Sequence, residues 1–135
     1  ARALLRQVAT TPHIPVFTGW AEYLNAWLDG HVTELADLLG GLGGGGALKV
    51  FDDPEAIFQQ GTFLCDSGGH ERGLALLERS VARGFFAASA LAQRSQFDAI
   101  RHTPAFQSLL VDAEAGRHRA LAAFKDAGGE RLLGR

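Results

Sequence analysis

The sequence contains one cysteine and no methionine, and it has no long apolar run and no block of like charge. Because Cys65 stands alone, neither an intrachain disulfide nor a four-cysteine zinc site can form, which favours a reducing, cytoplasmic setting. No apolar run approaches the roughly 20 residues that a membrane-spanning helix needs. The net charge of −2 is spread over 135 residues, so the sequence predicts neither a nucleic-acid nor a membrane partner.

Alanine and leucine dominate the apolar residues, whereas Val, Ile and Thr are scattered singly. Straight-chain side chains lose little rotamer freedom in a helix, and no segment alternates apolar and polar residues as a half-buried strand does. The composition therefore predicts an all-α fold in a single domain with a real core. The amphipathic start without an initiator methionine indicates a piece of a longer polypeptide.

Pro, Gly and capping residues divide the apolar pattern into helices that pair across short turns. Such turns make neighbouring helices antiparallel. In chain order we expect a helix over residues 1–9, a hairpin over 14–39, a glycine-rich linker over 40–52, a second hairpin over 53–84, and a terminal hairpin or cap over 85–135.

Two helix starts are well marked. Asp52 or Asp53 precedes Pro54, and Thr103 precedes Pro104, so each offers a capping oxygen before a residue suited to the first helical position. The helix from Pro104 is expected to be the longest, with Gly116 marking a bend or a close helix contact. Its expected apolar side consists of Phe106, Leu109, Leu110, Ala113, Ala120 and Phe124.

The hairpin over 53–84 carries a pattern of small and large residues. The steps from Gly61 to Leu64, Gly68, Gly73 and Leu77 resemble the small, large, turn, small and large positions of a tetratricopeptide repeat. More broadly, residues 53 to 134 are similar to the closing segment of tetratricopeptide-like arrays at the C-termini of large bacterial signalling proteins. The copy is degenerate, because bulky aromatic, proline and alanine positions of the repeat are occupied by other residues.

The resemblance implies a tetratricopeptide-like α-solenoid with a long C-terminal capping helix, in which residues 1–9 end a truncated repeat. It also implies a scaffold without catalytic activity or cofactor, which binds a protein, a peptide or another domain of its parent chain. The truncated repeat leaves an apolar edge through which copies could associate. By the place of the first helices in such repeats, the expected binding groove is lined by Phe17, Trp20, Leu24, Trp27, Glu55, Phe58, Thr62, Cys65 and Asp66.

The aromatic residues leave a second function open. Two tryptophans one to two turns apart fit a core, but exposed tryptophans are natural binding anchors. The alternative is a small helical ligand-binding or sensor domain with a pocket lined by Phe17, Trp20, Trp27 and Phe58.

The glycine run "GGLGGGG" over residues 40–46 matches the GxGxxG pattern of dinucleotide-binding loops. Such a loop needs a strand before its glycines and a helix directly after them. Here a predicted helix precedes the run, and Ala47 follows it where a phosphate loop requires lysine. The run is therefore interpreted as a mobile linker.

No residues at recognisable spacing predict catalysis or metal binding. Asp66 would raise the pKa of the neighbouring Cys65 thiol, which opposes nucleophilic reactivity, and no GxSxG motif surrounds Ser67. The histidines are widely separated and form no HxxxH pair; they are His13, His31, His70, His102 and His118.

Overall fold

The computed structural model describes residues 2–10, 15–31, 33–35, 38 and 53–134. Within these ranges the secondary structure is helical and contains no strand, which confirms the all-α prediction for this part of the chain. The expected glycine-rich linker over 40–52 lies outside it. The helices are α1 (Arg2–Thr10), α2 (Pro15–Asp29), α3 (Pro54–Asp66), α4 (His70–Ala82), α5 (Ala88–Gln93), α6 (Pro104–Asp126) and α7 (Gly129–Leu132), with a 3-10 turn at Ser95–Phe97 and helical residues at 33–35 and 38.

Asp53 and Thr103 both cap helices as predicted. The Asp53 carboxylate accepts hydrogen bonds from the backbone N–H groups of Glu55 at 2.7 Å and Ala56 at 3.2 Å. The Thr103 hydroxyl accepts one from Phe106 N–H at 3.3 Å. These oxygens satisfy donors that the first turn of a helix leaves free, so α3 and α6 begin where the sequence places them.

The turns between helices use glycine for a backbone reason. Gly30 after α2 has φ of 73°, and Gly68 between α3 and α4 has φ of 89°, values that other residues rarely adopt. After Gly68, the backbone N–H of Gly69 donates to the carbonyl of Leu64 at 2.8 Å. The chain can therefore reverse within a few residues, and α4 packs against α3 as an antiparallel hairpin.

Helices α3 and α4 approach closely at Gly61 and Gly73. A Cβ atom on Gly73 would lie 2.5 Å from the Cys65 sulfur and 2.9 Å from the Gly61 carbonyl oxygen, so it has no room. At the other end of the hairpin, the Ser80 hydroxyl donates to the Pro54 carbonyl at 2.7 Å. The absence of side chains at both glycines lets the two backbones meet.

Two apolar clusters lie on either side of this hairpin. The α2-side cluster joins α2 to the hairpin through buried Tyr23 and Leu64, with Trp27 and Phe63 packed at its edge. The α6-side cluster joins the hairpin to α5, the 3-10 turn and α6, and its buried residues are Phe58, Cys65, Leu77, Val81, Ala88, Leu91, Phe97, Ile100, Phe106, Leu109 and Ala113.

Only the first half of α6 is built into this core. Phe106, Leu109 and Ala113 are buried, and Gly116 lies directly against the ring of Phe86, a residue between α4 and α5, rather than against another helix. From residue 117 to residue 127 every side chain is exposed. The expected apolar side of this helix therefore ends at Gly116, and Phe124 lies outside the core.

The Arg101 side chain caps the C-terminal end of α5 by hydrogen bonds to backbone carbonyl groups. Its guanidinium donates to the carbonyl oxygens of Leu91 at 3.1 Å and Ala92. It also donates to the Arg94 carbonyl at 2.7 Å and to the Asp98 carboxylate at 2.6 Å. A planar guanidinium with five donors can satisfy several carbonyls that the last turn of a helix leaves free. This side chain fixes the segment that follows α5.

We expect Gly73→Ala to lower the free energy of unfolding by about 1–3 kcal/mol, because the methyl group overpacks the α3–α4 contact. Urea unfolding followed by circular dichroism measures the change. The matched variant Ala75→Ser, at an exposed position of the same helix, should stay within about 0.5 kcal/mol of the wild type. An unchanged stability for Gly73→Ala would contradict the close approach.

Arg101→Lys should lower the melting temperature by about 3–6 °C, which corresponds to roughly 1–2 kcal/mol. An ammonium cannot reproduce the fork of donors that reaches several carbonyls at once. Scanning calorimetry gives the comparison, with Arg72→Lys on the exposed face of α4 as the control. Equal losses in both variants would show that the cap contributes nothing specific.

Candidate functional site

The middle of the expected groove is covered by this chain itself. The Phe58 ring is only 1% exposed and lies 5.3 Å from the Phe85 ring and 6.3 Å from the Phe97 ring, measured between centroids. The Arg94 guanidinium lies 5.5 Å from the centre of the same ring. The expectation of an accessible Phe58 is therefore corrected, because the segment after α4 packs over this face of α3.

The remaining α3 residues of the expected groove divide into buried and exposed ones. Thr62 is buried and its hydroxyl donates to the Phe58 carbonyl at 2.9 Å, and Cys65 is also buried. Glu55 and Asp66, at the two ends of the helix, are exposed. The structure thus offers a partner only the ends of this face.

On α2, two of the expected groove residues are described in full. Leu24 and Trp27 are half-buried at the edge of the α2-side cluster, and the Trp27 ring lies 4.7 Å from the Phe63 ring. Phe17 and Trp20 belong to α2, but their side chains lie outside the described residues.

The ligand-binding alternative expects Trp27 and Phe58 to line one pocket, and the structure describes both side chains. They do not form such a pocket. Trp27 packs in the α2-side cluster, whereas Phe58 packs in the α6-side cluster. The α3–α4 hairpin contributes to both clusters and separates them. These two rings therefore do not line a common cavity.

The described residues provide little for catalysis. Burial, with a smaller contribution from Asp66, raises the pKa of the Cys65 thiol to about 11, so the thiolate is scarce near neutral pH. His31 lies 3.0 Å from Glu34, and His118 lies 3.9 Å from Glu114, both at the exposed surface. No group of three or more metal-ligating side chains occurs among the described residues.

A cleft lies between α4 and α6. It encloses about 290 Å³ and is lined by Glu78, Val81, Ala82, Phe86, Leu109, Asp112 and Arg119. This volume is near the lower end of the range for small-molecule sites. The cleft is therefore suited to one or two side chains rather than to a nucleotide cofactor.

A second surface lies at the end of α6, on α7 and at Leu133, which directly follows α7. Leu121 is 44% exposed, Phe124 40%, Leu132 86% and Leu133 65%; we call these four residues the C-terminal apolar surface. Leu121 and Phe124 are one turn apart on the same helix, and Gly129 at the start of α7 lies against the Phe124 ring. Exposed apolar side chains that lie together, as Leu121 and Phe124 do, mark binding surfaces more often than single ones do.

The charges around this surface differ from those of the whole chain. Between Arg117 and Arg131 there are four basic and two acidic side chains, a local charge of +2 in a chain whose net charge is −2. Lys125 Nζ lies 3.5 Å from a Glu130 carboxylate oxygen, and the Arg117 guanidinium lies 2.9 Å from the Glu114 carboxylate. When Glu114 is counted with its partner Arg117, the local charge is +1, so the surface keeps a small excess of positive charge.

Sequence reasoning missed both surfaces. Asp112 and Arg119, seven residues apart on α6, share a helix face, which is a detectable signal, but Glu78 and Phe86 reach the same cleft only through the fold. Leu132 and Leu133 lie after the end of α6, beyond Gly128 and Gly129. No sequence signal distinguishes an apolar stripe that is buried from one that continues past the core.

Among the described residues, no helix is both long enough and apolar enough to cross a membrane. Comparisons with protein families, with curated proteins and with solved structures found no match to this chain.

The raised pKa of Cys65 predicts slow thiol chemistry. At pH 8 a thiol of pKa 11 has about one hundredth of the thiolate of an unfolded thiol of pKa 9.0. We expect a disulfide reagent to modify the native protein at least about tenfold more slowly than the urea-unfolded protein, because the lower thiolate fraction outweighs the greater nucleophilicity of a thiolate of higher pKa. The native rate should still be rising with pH well above 9. Comparable native and unfolded rates would contradict the buried, protonated thiol.

Proposed function

We propose that this chain is a non-catalytic protein-interaction module, a tetratricopeptide-like α-solenoid segment of a larger cytoplasmic bacterial signalling or regulatory protein. The observation that carries the proposal is the C-terminal apolar surface. Four large apolar side chains are exposed at the end of α6 and over residues 132–133. The glycine-mediated crossing of α3 and α4 is the feature that supports the solenoid interpretation.

The partner best matched to this surface is an amphipathic helix with acidic flanks. Its apolar side chains would pack on Leu121 and Phe124, and its carboxylates would face the positive border from Arg117 to Arg131. Helix-in-groove recognition commonly combines an apolar stripe with complementary charges at the rim. The local charge of +1 over residues 114–131 favours an acidic partner over a basic one.

An interaction role also agrees with what the described residues lack. The cleft between α4 and α6 has a volume of only about 290 Å³, the single cysteine has a raised pKa, and the buried polar residues in the described part of the chain are the neutral Gln60, Thr62 and Ser80. Catalytic sites usually combine a pocket with strongly perturbed titratable groups. The ligand-sensor alternative is less favoured, because Trp27 and Phe58 lie in separate clusters.

The test compares the wild type with the double variant Leu121→Ser/Phe124→Ser. Crosslinking capture from a lysate of the source organism first identifies a partner, and calorimetry then measures binding of that partner in purified form. We expect the double variant to bind at least tenfold more weakly, since loss of two apolar contacts of about 1 kcal/mol or more each is enough. Higher salt should also weaken binding of the wild type.

Val111→Ser is the matched control, because Val111 is 66% exposed on α6 but lies outside the C-terminal apolar surface. This variant should keep the wild-type affinity. Circular dichroism checks that all three proteins have the same helix content. Equal binding by the double variant, or the absence of any protein that binds in purified form, would overturn the proposal.

A further inference from the structure

We propose that the cleft between α4 and α6 is a recognition site for a basic side chain, an arginine in the first place, on a partner segment. This site is separate from the C-terminal apolar surface, and its test does not depend on that surface. The cleft combines two carboxylates with an apolar lining that includes an aromatic ring. Neither part alone would specify the ligand, but together they match a guanidinium.

Glu78 and Asp112 give the cleft its negative charge. These two carboxylates line the cleft from different helices, and neither takes part in the ion pairs between described residues. Arg119, the third charged residue of the lining, is seven residues from Asp112 along α6, about 10 Å along the helix axis. The lining therefore has a net charge of −1, which favours a cationic occupant.

The apolar lining suits the flat face and the methylene stem of an arginine. Val81 and Leu109 contribute aliphatic groups, and Phe86 contributes a ring. Guanidinium groups stack on aromatic rings and pair with carboxylates at the same time. An ammonium can pair with the carboxylates but gains less from the ring, so lysine is the weaker ligand.

The position of the aromatic ring is fixed by a glycine. The Phe86 ring occupies the space that a side chain at residue 116 would fill, and Gly116 itself is buried. This residue lies between Asp112 and Arg119 on α6, so the ring is held between the two charged residues of that helix. Arg119 is then placed to pair with a carboxylate on the same partner segment.

The probe is N-acetylarginine amide, titrated into the isotope-labelled protein and followed by backbone amide chemical shifts. N-acetylcitrulline amide is the matched probe, because it keeps the shape of arginine but carries no charge. At about 10 mM probe, a Kd of about 1 mM gives roughly 90% occupancy. We expect shifts confined to residues 78–86 and 109–119, with citrulline binding at least tenfold more weakly.

The double variant Glu78→Gln/Asp112→Asn should lose at least tenfold in affinity for the arginine probe. Both residues are exposed and the substitutions keep their shape, so the fold should be unaffected. Glu71→Gln removes an exposed carboxylate on α4 outside the cleft and should bind as the wild type does. Equal binding of citrulline, an unchanged affinity of the double variant, shifts elsewhere, or no saturable shift would each overturn the assignment.

A failure here would leave the proposed function standing, since that function is tested on Leu121 and Phe124 with a protein partner. Conversely, a partner that binds equally well after those two residues are changed would not affect an arginine titration of the cleft.

Discussion

The contact between Gly61 and Gly73 holds the described structure together. It lets the backbones of α3 and α4 meet, and the resulting hairpin packs side chains on both of its sides. Leu64 and Leu76 belong to the α2-side cluster, whereas Phe58 and Leu77 belong to the α6-side cluster. Neither cluster could keep its packing if the helices moved apart, because each takes residues from both α3 and α4. The separation of Trp27 from Phe58 follows from the same arrangement.

Features that depend on local backbone chemistry could be predicted from the sequence. Asp53 and Thr103 cap α3 and α6 through hydrogen bonds to residues two or three positions away, so neighbours in the sequence are enough to locate them. Gly30 and Gly68 mark turns for the same reason, since a positive φ is a property of one residue. The all-α class followed from a composition bias acting along the whole chain.

Features that depend on distant segments could not be predicted. The spacing of Phe58 and Thr62 places them on one face of α3, but only the fold shows that Phe85, Arg94 and Phe97 cover that face. Helical periodicity shows that one face of a helix is apolar, but it does not show which other segment packs against that face. The same limit explains the cleft, whose lining joins Glu78 to Asp112 across 34 positions of sequence, a pairing for which spacing has no signal.

The exposed half of α6 combines features that a docking element requires. Beyond Gly116 the helix runs about ten residues, roughly 15 Å, without a core beside it. Its alanines favour helix through intrinsic propensity, and the Glu114–Arg117 pair at 2.9 Å adds i,i+3 support. A segment that is already helical loses little conformational entropy when it binds. The alanine-rich composition that keeps this end helical without a core would therefore also favour Leu121 and Phe124 as contacts in the proposed interaction.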